Sequence, residues 1–277
     1  MGRITVQQEM IERVRTLCRQ DEAVRAAMMY GSFALGEADA YSDIEFLLFF
    51  RDADLAALDQ RAWLEQIAPT GLVFVNEYGV TTVLFTNLIR GEFHLDPVSR
   101  MEELAADWPG TVWFPSLEAT LVVDKDNRLA PLLEPIVGEP LRHGQSIKEA
   151  QTVVDRFLNW WLMGWTVLRR GEAARALEVL AMTQRYLLMM VRIVAGTTVH
   201  WYTPSRALEQ DLSPEAYARY RRCTAALDPT DLERAYAECW RWFTKLFPTL
   251  CRRLGVTVSA TLMDEMDRRL CTSACST

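Results

Sequence analysis

The sequence predicts an α+β chain: a first half with a mixed sheet flanked by helices, followed by an all-α helical bundle. Three observations carry this. Five short apolar runs fall before residue 100, the strongest being Ile44–Phe50, dense in aromatic and branched residues. From Ser146 onward the apolar residues recur at helical spacing instead. Between the halves, residues 131–144 hold three prolines and two glycines, the composition of a boundary.

Taken in order, Val6, Met10, Val14 and Leu17 recur at spacings of four and three, predicting a helix to about Arg19. Val24 to Tyr30 reads as a strand broken by Gly31-Ser32. Ile44 to Phe50 is the next strand, ending at Arg51-Asp52. Leu55 to Ile67 reads as one amphipathic helix. Leu72 to Val75 and Thr81 to Phe85 are strands around a turn at Glu77-Tyr78-Gly79, and Gly91 to Leu95 is a further strand stopped by Asp96-Pro97. Ser146-Ile147-Lys148-Glu149 carries a capping-box pattern and opens a helix to about Arg170, ended by Gly171. Ala173 to Ala195 is helical until Gly196. Ser213-Pro214 and Asp228-Pro229 mark two more helix starts, and the last is expected to be disturbed at Pro248. The expected domains are 1–142 and 143–270, with 271–277 a loose, small and polar tail.

Half of the 277 residues are hydrophobic and 24% are charged, the balance of a soluble globular chain. The net charge of −7 disfavours a nucleic-acid coat, which must attract phosphate. Six cysteines show no CxxC spacing and only three histidines exist, so neither a zinc site nor a disulfide scaffold is expected. The N-terminus has no apolar signal core, and no apolar stretch approaches the ~20 residues a membrane span needs. These features predict a cytoplasmic protein with neither nucleic acid nor membrane as partner.

The chemistry concentrates in Tyr30-Gly31-Ser32 and the run Asp43-Ile44-Glu45-Phe46. Glycine lets the backbone approach a phosphate closely, and the amides and hydroxyl of Gly31-Ser32 can donate to it. Asp43 and Glu45 stand two apart where a strand opens, so they share a face about 7 Å apart along the backbone. Such carboxylates suit a hard divalent cation. In Arg90-Gly91-Glu92-Phe93-His94-Leu95-Asp96, the residues Glu92, His94 and Asp96 share one strand face. Glu92 is the candidate base, because Gly91 leaves room beside it. His94 suits either a core position or a substrate pocket.

Gly-Ser, a gap of ten residues, then Asp-x-(Asp or Glu) resembles the signature of the polymerase-beta-type nucleotidyltransferases. Met28 to Phe33, Tyr41 to Phe46, Asn76 to Gly79, Asn87 to His94 and Trp161 to Gly164 are similar to the lincosamide nucleotidyltransferases, an antibiotic-resistance branch of that superfamily. The resemblance runs from about Met10 to about Arg269. It implies a polymerase-beta-like catalytic domain and transfer of AMP from ATP to a hydroxyl of lincomycin or clindamycin, with release of pyrophosphate. It also implies two Mg2+ ions on Asp43, Glu45 and Glu92, with Glu92 as general base. Glutamates at 45 and 92 replace the aspartates commoner in the wider superfamily.

Arg169, Arg170 and Arg175, around Gly171, are candidates to meet the triphosphate; each also suits a solvated helix face. Glu77, Tyr78 and Trp161 are candidates for the drug pocket, although core packing is the commoner role for tryptophans such as Trp161 and its neighbour Trp165. The rival readings are an aminoglycoside nucleotidyltransferase, whose polycationic substrate calls for many converging carboxylates, and a non-enzymatic antitoxin or binding module. Monomer and homodimer both remain open. The charge divides unevenly: residues 1–142 hold 12 basic and 23 acidic groups, and residues 143–277 hold 18 and 14. An acidic first half suits metal ions and a drug with a basic nitrogen.

Overall fold

The computed structural model describes residues 3–273 and divides into two compact units between Leu141 and Arg142. The first contains α1 (Arg3–Gln20), β1 (Val24–Met29), α2 (Gly31–Leu35), β2 (Ile44–Phe50), α3 (Asp52–Ala56), α4 (Gln60–Glu65), β3 (Thr70–Val75), β4 (Thr81–Phe85), β5 (Arg90–Pro97), α5 (Met101–Ala105), α6 (Leu117–Thr120), β6 (Leu121–Asp124) and α7 (Leu129–Leu133). Its six strands form one mixed sheet in the order β3-β4-β5-β2-β1-β6. Only β2 and β5 pair in parallel; the other neighbours are antiparallel. β6, Leu121-Val122-Val123-Asp124, is too short for its pattern to stand out in sequence.

Strand parity sends Ile44, Phe46, Leu48 and Phe50 to one face, and all four are fully buried. They meet Trp63, Leu64, Ile67 and Phe93, with Trp63 edge-on to Phe50 at 6.0 Å. The expected helix over Leu55–Ile67 is instead two short helices. Asp59 accepts the Ala62 amide at 3.0 Å and caps the second, so α4 makes a fresh start rather than continuing α3. α1 buries Met10, Val14 and Cys18 at fourfold spacing.

The second unit contains α8 (Ile147–Arg169), α9 (Ala173–Ala195), α10 (Leu208–Asp211), α11 (Pro214–Arg222), α12 (Pro229–Leu254) and α13 (Ala260–Ser273). Ser146 Oγ accepts the Glu149 amide at 3.1 Å, as the capping pattern predicts. Helices α8, α9 and α12 pack on one another around Trp161, Leu187, Tyr236, Trp240 and Phe243. Gly164 lets α12 in: a Cβ there would stand 1.9 Å from Tyr236 Oη, whose hydroxyl donates to the Ala176 carbonyl at 2.7 Å. Arg192 is fully buried, donating to the carbonyls of Thr197, Pro204 and Arg206 and to Asp211. One guanidinium thus fixes the loop between α9 and α10.

Two further expectations are corrected. α12 runs through Pro248 to Leu254, because Pro248 lies on an exposed face where water can take up the carbonyl it frees. α13 continues through Ser273, three residues into the stretch expected to be a loose tail; 274–277 lie outside the described residues. No helix among the described residues is long and apolar enough to cross a membrane.

Candidate active site

Asp43 leaves a turn that is tied down before it reaches β2. Asp39 Oδ1 accepts the Tyr41 amide at 2.8 Å, and Ser42 Oγ accepts the Asp39 amide at 2.9 Å. From α1, the buried Gln7 donates its side-chain amide to the Ser42 carbonyl. The residue before Asp43 is therefore held from two sides.

The parallel pairing of β2 with β5 sets Glu45 directly opposite Glu92. Thr82 of β4 opposes Glu92 from the other side. Since alternate residues share a face, Glu45 and Glu92 project together, with Asp43 two residues before Glu45. Gly31 begins α2 at φ +71°, and a Cβ there would stand 1.5 Å from Glu45 Oε2. The Glu45 carboxylate thus lies against the glycine, in space that any other residue would fill. Ser32 follows, buried in the first turn of α2.

A residue that sequence reasoning passed over organises the group. Arg90 donates from Nη1 to Asp43 Oδ2 at 2.5 Å and from Nη2 to Glu92 Oε1. Burial works against its charge, but these two hydrogen bonds outweigh that and raise its pKa above the usual guanidinium value. Arg90 has the strand parity of Glu92, so its position on this face was readable; its attachment to two carboxylates was not. Asn76, heading the β3–β4 turn, donates to Glu92 Oε1 at 3.2 Å and to Thr82 Oγ1 at 3.1 Å. Tyr30 contributes a buried hydroxyl with no hydrogen-bond partner among the described residues. Burial first, then the Glu45 and Glu92 charges, push that phenol's pKa upward.

The donors are hard oxygens, the kind that hold Mg2+. As arranged, however, Arg90 already supplies the positive charge between Asp43 and Glu92, while Glu45 turns to Gly31. Among the described residues no group of three or more His, Cys, Asp or Glu side chains is set to hold a metal. A cation taking Asp43 and Glu92 together would have to displace the guanidinium.

The remaining candidates fall elsewhere. His94 lies two residues beyond Glu92 on the same face, its ring 5.5 Å from that of Tyr30, and burial lowers its pKa. Glu77 and Tyr78 sit in the exposed β3–β4 turn; Asn76 is the residue of that turn that reaches Glu92. Arg170 and Arg175 belong to the helical unit and border a groove of about 340 Å3 with Asn159, Met163 and Thr166. Arg169 pairs with Glu233 at 3.6 Å. Trp161 is corrected: it is fully buried, stacks on Trp165 at 5.6 Å and donates to the Tyr236 carbonyl at 2.8 Å, leaving no surface for a ligand.

The mixed sheet followed by an all-helical unit gives the chain an α+β architecture. Residues 147–269, within the helical unit, match the family described as lincosamide nucleotidyltransferase-like, C-terminal domain. No curated protein matches the chain in sequence. Two solved structures resemble it loosely. One is an aminoglycoside 6-adenyltransferase from Bacillus subtilis, at 16% identity and TM-score 0.44, covering 98% of this chain and 99% of that one. The other is a nucleotidyltransferase-like protein from Exiguobacterium sibiricum, at 13% identity and TM-score 0.39, covering 96% and 88%.

Proposed function

We propose that the protein transfers AMP from Mg-ATP to a hydroxyl of a lincosamide such as lincomycin or clindamycin, releasing pyrophosphate. The observation that carries this reading is the convergence of Asp43, Glu45 and Glu92 beside the Gly31-Ser32 turn. The similarity of residues 147–269 to a lincosamide nucleotidyltransferase-like C-terminal domain supports the acceptor class. Glu92 is the base: its carboxylate takes the proton of the drug hydroxyl as that oxygen bonds to the α-phosphorus. The bond from the α-phosphorus to the bridging oxygen breaks, and pyrophosphate departs with that electron pair. Gly31 and Ser32 receive phosphate oxygens through backbone amides and hydroxyl. Arg90, when released from the carboxylates, can pair with phosphate oxygens in its place. Mg2+ held by Asp43 and Glu45, with Glu92, would supply charge neutralisation for the triphosphate.

The test is pyrophosphate release from ATP with clindamycin or kanamycin, with and without Mg2+. Release with clindamycin that requires Mg2+ is expected. Release with kanamycin alone would move the acceptor to the aminoglycosides, and release with neither would overturn the reading.

A further inference from the structure

The sheet face that carries the carboxylates does not end at Glu45 and Glu92. Two residues further along the same strands stand Leu47 and His94, and then Asp96 on β5. Here the face is covered by the segment from α5 onward, and a cavity of about 290 Å3 remains between Met28, Leu47, Leu104, Trp108 and Phe114. Its walls are apolar, with three polar exceptions: Tyr30, His94 and Asp96. A strand advances about 3.3 Å per residue, so the cavity begins roughly 7 Å from the Glu45–Glu92 pair.

We propose that this cavity is the acceptor subsite, holding an apolar body that carries one basic nitrogen, with Asp96 as the counter-ion. The proposal rests on the transferase reading above and names the part of the acceptor recognised. Size argues for one end of a molecule, because 290 Å3 lies at the lower limit of pockets that enclose a whole drug-sized ligand. Charge argues for a single cation. Asp96 is the one carboxylate on the lining, and its neighbour Arg100 stands at 3.5 Å while also binding Glu103. Asp96 therefore keeps room for a second cation, while Leu47, Leu104 and Trp108 offer no partner for further charges within the cavity. Tyr30 lines the cavity and feels the charges of Glu45 and Glu92, and its buried hydroxyl has no hydrogen-bond partner among the described residues. A ligand acceptor atom would give it a hydrogen bond, anchoring the molecule with its hydroxyl toward Glu92.

The experiment is calorimetric titration of the full chain with clindamycin, kanamycin and ATP, without turnover. Clindamycin should bind the wild type, Asp96→Asn should weaken it at least tenfold, and Val112→Trp should do likewise. Val112 lies on the exposed rim, where a larger ring can close the mouth without repacking the core. Melting curves confirm folding of both variants. Clindamycin binding that is absent, or unchanged in both variants, overturns the subsite, as does loss of ATP binding alone. Pyrophosphate release is read separately: binding without release sinks the transferase reading and leaves the subsite standing. Release with an unchanged clindamycin KM in both variants does the reverse.

Discussion

Replacing Arg90 with glutamine leaves Asp43 and Glu92 without their shared cation. About a third of the Arg90 and Asp43 side chains, and a fifth of Glu92, remain in contact with water. The pairs are therefore intermediate between exposed ones, worth about 0.2–1 kcal/mol, and buried ones, whose disruption costs about 3–5 kcal/mol. With two pairs lost, the expected destabilisation is about 2 kcal/mol, or roughly 4–8 °C in melting temperature. Thermal melting of Arg90→Gln against wild type measures this, with Arg90→Lys expected between them because one ammonium cannot reproduce the fork. Millimolar Mg2+ should raise the midpoint of Arg90→Gln more than that of wild type, since the variant's carboxylates lack a competing cation. A variant that melts with wild type would refute the neutralising role, and an equal Mg2+ effect on both would refute the competition.

Gly31→Ala places a methyl on the Glu45 carboxylate at a positive φ, so turnover should fall at least a hundredfold and melting should drop by about 1–3 kcal/mol equivalent. Gly164→Ala drives a methyl into Tyr236 Oη and breaks its bond to the Ala176 carbonyl; calorimetric melting should record a loss of about 3 kcal/mol. Asp211 is held below the usual carboxylate pKa: burial opposes this, but hydrogen bonds from Arg192 and His200 prevail. A depressed carboxylate contributes stability above its unfolded value, about 4, and loses it as pH falls below that through the folded pKa. Melting followed from pH 7 to pH 2 should show this acid component, and Asp211→Asn should remove it.

Much of the first unit was legible because strand parity is strict. Asp43 and Glu45 declared a shared face by their spacing, and Glu92 declared its own. Their convergence depends on β2 pairing in parallel with β5, a contact across 47 residues that no local pattern encodes. Arg90 was hidden for a related reason: parity gives its face, but only the folded strands show two carboxylates within its reach. The Gln7 tie to Ser42 spans 35 residues and was equally invisible. In the helical unit, Trp161 and Trp165 share a face at fourfold spacing, and that pattern serves a ligand surface or a core alike; burial decided for the core. The break between α3 and α4 followed from Asp59, whose capping role the apolar periodicity on either side concealed.

The most direct test of the central claim is mass spectrometry of clindamycin incubated with the protein, ATP and Mg2+. The account predicts a product heavier by one AMP unit, one pyrophosphate per product, and loss of both in Asp43→Asn and Glu92→Gln variants that still melt cooperatively. No AMP adduct on any lincosamide, or full turnover by those two variants, would contradict it.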